Sequence, residues 1–177
     1  QITPYFRYAI ELFPEFNKAR IPIARFLYRN KHSSFSLLPI QLIPYFQYTV
    51  GAVIGTLLLA LQYRQSGQQG FYGASIAVDA NSLLTPWLVV YWLVTVARGL
   101  RRAHAVLGKF YDLSDVVNAP TYQTASVKEL SGYFLAFGLK TKIAWTSSIL
   151  TLCRRYSRIT NQFLFGTTSQ QRTATCQ

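Results

Sequence analysis

The chain has 177 residues, half of them apolar and 15% aromatic, which is enough to bury a core and excludes a disordered tail. Eighteen Lys and Arg stand against six Asp and Glu, a net charge of +12, so the surface attracts polyanions: nucleic acid or an acidic lipid surface. The two cysteines, Cys153 and Cys176, lie far apart and late in the chain, which argues against a disulfide framework and for a reducing compartment, with a cytoplasmic location as the expectation.

Three β-like pieces come first. Residues 4–12 and 18–29 are rich in aromatic and β-branched side chains, with Pro14 and Asn17 marking the turn between them, and 33–38 gives a third short strand. Pro22 is expected on an edge, where its missing amide donor costs nothing. Arg7, Glu11 and Glu15 interrupt this region, so no signal peptide is expected. The sequence holds no Met and starts at Gln1 inside a strand pattern, which leads to the expectation of a fragment truncated at its amino terminus.

Residues 33–63 contain no charged side chain. Pro39 and Pro44 cut this run, since each removes a donor and biases the preceding residue away from helical geometry, so a helix is expected over 45–65. Val50, Val53, Ile54, Leu57, Leu58 and Leu61 form one apolar stripe, with Gly51, Ala52, Gly55, Thr56 and Gln62 opposite. A buried helix of a soluble domain is the preferred reading. The spacing Gly51-x-x-x-Gly55 also suits close packing between membrane helices, which keeps a second reading open.

Gly67 and Gly70 supply a chain reversal, and 71–80 is ambiguous, with a short helix one outcome. Thr85-Pro86 sets a cap residue before a proline at the first helical position, opening a helix to about residue 111. Val89, Leu93, Val96, Leu100, Ala103 and Leu107 form its apolar stripe, and Arg98, Arg101, Arg102 and Lys109 its other face. A linker is expected at 112–125. Ser126 and Glu129 have capping-box spacing for a helix to residue 137. A last helix over 143–165 buries Ile149, Leu152, Cys153, Tyr156, Thr160, Phe163 and Leu164, turns Arg154, Arg155 and Arg158 outward, and stops at Gly166. The polar tail 167–177 reads as disordered.

Arg20-Ile-Pro-Ile-Ala-Arg-Phe-Leu27, Phe35-Ser-Leu-Leu-Pro39, Ile43-Pro-Tyr45 and Thr85-Pro-Trp87 with Trp92 resemble strings of an uncharacterised bacterial family associated with transposases and insertion elements, over residues 5–107. The resemblance implies an amino-terminal zinc-ribbon-like part followed by a helix-turn-helix-like bundle. Family ribbons carry a cysteine near Tyr28 and another a few residues on; here Tyr28, Asn30, Lys31 and His32 stand there. A tetrahedral zinc site needs four ligands, and this stretch offers His32 alone, so a degenerate ribbon without bound zinc is expected.

Three carboxylates around two metal ions would be needed for transposase chemistry. Asp79, Asp112, Asp115 and Glu129 are the available acids, but Asp112 and Asp115 sit in the expected linker and Glu129 reads as a cap, so structural roles are preferred. His104 reads as a surface histidine. Residues 66–73 lack the spacing and Lys of a phosphate loop. No enzyme, cofactor, metal or small-molecule ligand is therefore expected.

The informative constellation is basic. Arg98, Arg101, Arg102 and Lys109 lie along one helix with no acid between residues 80 and 111, so each is expected free to meet a phosphate. Arg20, Arg25, Arg29 and Lys31 form a second cluster on the ribbon. Trp87, Tyr91 and Trp92 are base-stacking candidates, although aromatics at helix spacing usually belong to a core.

The expected fold class is α+β, mostly α, with a small antiparallel β-ribbon and a helical bundle containing a helix-turn-helix-like unit. Its expected parts are 1–40, 41–111, the linker 112–125, 126–166 and the tail 167–177. The expected function is that of a noncatalytic DNA-binding region of a transposase-related mobile-element protein. The alternative is a small membrane protein with a helical hairpin, spans at 39–63 and 83–97, and its cations on the cytoplasmic side.

Overall fold

A computed structural model of the chain describes residues 2–28, 33–78, 84–116, 123–139 and 145–166. Of the expected phosphate-binding residues, Arg29 and Lys31 lie outside these, as do His32, Asp79, residues 117–122 of the expected linker and the tail 167–177. The fold is α+β and mostly helical. Its aromatic and β-branched opening forms the antiparallel strands β1 (Ile2–Glu11), β2 (Asn17–Tyr28) and β3 (Ser33–Leu37), in the order β1-β2-β3.

Pro22 thus stands on the central strand, not on an edge. The conflict is relieved because β3 pairs only with Ala24 to Tyr28, so at Pro22, opposite Phe6, β2 has one neighbour. The 38–46 segment covers one sheet face: Ala9, Ile23 and Leu42 form a small buried cluster there, and Arg7 donates to the carbonyls of Ile43 and Phe46. The end of β1 enters the helical body, where Ile10 N donates to Gln47 O at 2.8 Å and Thr49 N to Ile10 O at 3.1 Å.

Five helices follow: α1 (Val50–Gln65), α2 (Gly70–Val78), α3 (Pro86–Leu107), α4 (Gln123–Ala136) and α5 (Trp145–Thr160). A single apolar cluster runs from Ile10 to Phe165 and takes in residues of all five. The first helix starts at Val50 rather than at residue 45, because Tyr45 adopts a left-handed φ of 66°, incompatible with a right-handed helix. Thr49 is its cap: the hydroxyl oxygen accepts from Ala52 N at 3.1 Å, and the hydroxyl donates to Glu11 at 2.6 Å. A carboxylate is thereby held where the helix dipole favours negative charge.

From Val50 to Leu58, and again at Ala60 and Leu61, every residue of α1 is buried. The expected two-sided helix is therefore sheathed all round. Its glycine side is the side of closest approach: a Cβ built on Gly55 would lie 2.5 Å from the Phe13 ring and 2.6 Å from that of Trp145, which themselves meet edge to face. Thr56 is buried too, and its hydroxyl is satisfied by donating to Ala52 O at 2.8 Å.

No described helix is long and apolar enough to cross a membrane. The 16 residues of α1 rise only about 24 Å at 1.5 Å each, short of the hydrocarbon core. The second proposed span ends within α3, whose later turns carry Arg98, Arg101 and Arg102.

Other boundaries shift for local reasons. Gly67, at φ 75°, reverses the chain after α1 as expected, whereas Gly70 begins α2. Thr85 caps α3, accepting from Leu88 N at 3.2 Å, with Pro86 in the first turn. The last helix ends at Thr160, because Asn161 takes φ 55°. Residues 161–166 then fold back on α3, where Leu164 O would be 2.6 Å from a Cβ on Gly99. Ile149, Leu152, Cys153, Tyr156 and Leu164 are buried as expected, while Thr160 and Phe163 are only partly so.

Gly55→Ala should destabilise the protein. The added carbon gains up to about 1 kcal/mol of helix propensity but overpacks against Phe13 and Trp145 at about 1–3 kcal/mol, and Gly55→Val should cost more. Gly51→Ala, whose Cβ would meet Glu11 at 3.2 Å, should cost less than Gly55→Ala. Urea denaturation of the three variants checks the order.

Candidate nucleic-acid interface

At 100° per residue, Trp87, Tyr91, Arg98, Arg102 and Ala105 fall within one stripe of α3 about 60° wide, and all five are exposed. The helix stops at Leu107 rather than near residue 111, so Lys109, also exposed, lies in the turn that follows it instead of on its face. The opposite side of the helix is core: Val89, Leu93, Val96, Leu100, Ala103 and Leu107 are buried as the sequence requires. Arg98 and Lys109 form no hydrogen bond or ion pair among the described residues, and Arg102 makes one long contact, donating to Gly166 O at 3.4 Å. On α5, Arg154, Arg155 and Arg158 are exposed as expected. Arg155 lies over the ring of Phe110, in the turn that follows α3, at 6.0 Å.

Arg101 leaves this group. Its Nε and Nη2 donate to the two Glu129 oxygens at 3.0 and 2.5 Å, and the Glu129 side chain is fully buried. The expectation of an unpaired arginine row fails here because the partner comes from another helix, 28 residues away in sequence. The same pair overturns the capping-box reading. Helix α4 begins at Gln123, so Ser126 and Glu129 lie inside it, and the Glu129 carboxylate binds the guanidinium rather than a helix end. Hydrogen bonding to Glu129 holds the Arg101 guanidinium even more firmly protonated than usual.

His104 belongs to the same junction, not to open surface: its Nδ1 is 2.8 Å from the Tyr133 hydroxyl. Burial, followed by the nearby Glu129 charge, pushes the Tyr133 phenol up to about 12, with Arg101 pulling the other way. Of the remaining acids, Asp112 accepts from Ser114 N and Oγ at 3.1 and 2.7 Å in a turn after α3, bonds that lower its pKa. Asp115 is exposed nearby. Among the described residues no three His, Cys, Asp or Glu side chains converge on a possible metal position. Cys153 is a free thiol sealed in the core, its pKa pushed up to about 12 by burial.

The ribbon cluster divides by strand alternation. Arg20 faces the side of Phe6, with its guanidinium 4.5 Å above that ring, whereas Arg25, opposite Ser36, has the other parity and faces the other side. The aromatic candidates also separate. Trp92 is core, edge to face with Tyr48 at 4.8 Å, and Tyr91 stacks on Phe46 at 5.8 Å, but Trp87 is 81% exposed. Sequence reasoning saw the outward α5 cations without joining them to the site. The signal available was the absence of any acid from 145–166.

Compared with protein-family models, curated proteins and solved structures, the chain matches none.

Two predictions separate structural from free cations. Arg101→Gln strands a buried carboxylate and should cost about 3 kcal/mol, the low end of the range for broken buried pairs because the arginine is a third exposed. Arg98→Gln should change stability by no more than about 0.5 kcal/mol. Equilibrium unfolding compares them. The Tyr133 phenol has its ordinary value of 10.0 when unfolded and about 12 when folded, so its contribution to stability is complete below pH 10 and is lost as pH rises through 12. In an alkaline absorbance titration, wild type minus Tyr133→Phe should give a phenolate step near pH 12 instead of near pH 10.

Proposed function

We propose that the chain is a noncatalytic DNA-binding region, and that it docks on the phosphate backbone through α3 and α5. The observation that carries this reading is the exposed α3 stripe, in which Arg98 and Arg102 face solvent without a carboxylate partner among the described residues, followed by the exposed Lys109 in the next turn and by Arg155 over the Phe110 ring. Guanidinium groups pair bidentately with phosphate oxygens, and a rigid helix pinned to the core by its opposite face presents them at fixed spacing. Contacts of this kind set orientation and affinity without reading sequence.

Exposed Trp87 and Tyr91 sit at the amino-terminal end of the same stripe, the end a groove-entering helix uses. The helix-turn-helix-like reading pairs α1 with α3, which pack against each other, with α2 between them in the chain. The resemblance to transposase-associated proteins would make this the docking part of a mobile-element protein, acting in the cytoplasm.

The Arg98→Gln, Arg102→Gln, Lys109→Gln triple variant should fold as the wild type does, since all three side chains are exposed and helix propensity barely changes. Its affinity for duplex DNA should fall alike for every sequence tested. Each neutralised phosphate contributes about 0.9 to the log-log salt slope, so the slope should drop by about 2 to 3. Fluorescence anisotropy across a salt series measures both, and an unchanged slope in the folded variant refutes the proposal.

A further inference from the structure

The sheet carries a second surface that the α3 stripe does not use. Its register sets Phe6 opposite Pro22, Tyr8 opposite Arg20, Ile10 opposite Lys18, Ala24 opposite Leu37 and Phe26 opposite Phe35. Side chains alternate with a period of two, so all of these point to one side, away from the 38–46 segment that covers Ala9 and Ile23 on the other. Ile10 is buried where β1 enters the helical body, but beyond it the face is open. Phe6 is 54% exposed, Tyr8 46%, Phe35 51% and Leu37 58%.

Single exposed apolar residues need no explanation, but a contiguous set on one face does. The cations here sit on the rings. Lys18 Nζ is 4.4 Å from the Tyr8 ring centre, the Arg20 guanidinium is 4.5 Å from that of Phe6, and Phe26 stacks on Phe35 at 5.4 Å. No Asp or Glu occupies this face of the described strands.

We infer that this sheet face binds single-stranded polynucleotide, with bases stacking on Phe6, Tyr8 and Phe35 and phosphates meeting Lys18 and Arg20. The charge complementarity selects a polyanion, and the rings select one with exposed aromatic faces. A duplex keeps its base faces stacked inside, so only an unpaired strand can offer them. Phe6 and Tyr8, two residues apart, stand about 7 Å apart along the strand, close to the spacing of successive nucleotides in an extended single strand. An exposed cation–ring contact is weak, so Lys18 and Arg20 can turn from ring to phosphate as a base takes their place. This surface uses none of the duplex-docking residues and goes beyond that reading.

The test is anisotropy of a labelled oligo(dT) of about 12 nucleotides, within the site sizes known for stacking platforms, with the full chain. Phe6→Ala, Tyr8→Ala and Phe35→Ala should each weaken binding about tenfold and leave duplex affinity unchanged. The ring effect should persist in the Arg98, Arg102, Lys109 triple variant. Should ring variants misfold, photo-cross-linking of an iodouracil-substituted strand to the unaltered chain decides, with adducts expected on β1 or β3. Wild-type affinity in folded ring variants, or adducts confined to α3 and α5, overturns the inference. So does a chain that ignores oligo(dT) but binds phosphatidylserine vesicles, or that forms a dimer which Phe35→Ala dissociates. Ring-dependent single-strand binding without duplex binding would sink the duplex reading and leave this one standing.

Discussion

One uncharged helix has to be hidden on every side, and the remaining elements are placed by that requirement. Helix α1 has no charged residue before Arg64 and is buried from Val50 to Leu58. An amphipathic helix needs one covering layer, but this one needs cover all round. The β1–β2 turn and α5 supply it on the glycine side through Phe13 and Trp145, while α2 and α3 pack elsewhere along the helix. The sheet is tied in at the same point, since β1 delivers Ile10 and Glu11 to the start of α1. A charge-free run that would satisfy a lipid environment in sequence terms is here interior to protein.

The Arg101–Glu129 pair shows how a very basic chain sorts its cations. Burying a carboxylate is costly unless it is paired and fully hydrogen-bonded, and the bidentate geometry meets that condition while fixing α4 against α3. Tyr133 and His104 extend the polar contact along the same helix pair. With five described acids, Glu11 and Asp112 are engaged by hydroxyls and Glu129 by Arg101, so little negative charge is left to neutralise the outward arginines. The surface that results is cationic because eighteen Lys and Arg stand against six Asp and Glu, and one of those acids is already paired with Arg101.

Two surfaces of different chemistry follow from this distribution. The stripe on α3 offers fixed charges on a rigid helix and suits a ligand recognised by its backbone. The sheet face offers rings with cations resting on them and suits a ligand recognised by its flat faces. They lie on separate elements and use separate residues, so each can be altered without touching the other.

The local grammar of the chain was legible in its sequence. Three strands, the Thr85-Pro86 start of α3, its buried stripe and most of α5 follow from alternation, helical period and capping, which act over a few residues. Two of the boundaries it missed were also local, at Tyr45 and Asn161, where non-glycine residues take left-handed backbone that no spacing rule anticipates. What only the tertiary structure decided was partnership across distance. That Arg101 is bound while Arg98 is free, that Trp92 is core while Trp87 is exposed, and that α1 has no open face all depend on which elements come together. Sequence period gives a residue's side of its own helix or strand, but what stands opposite that side is set by packing of the whole chain.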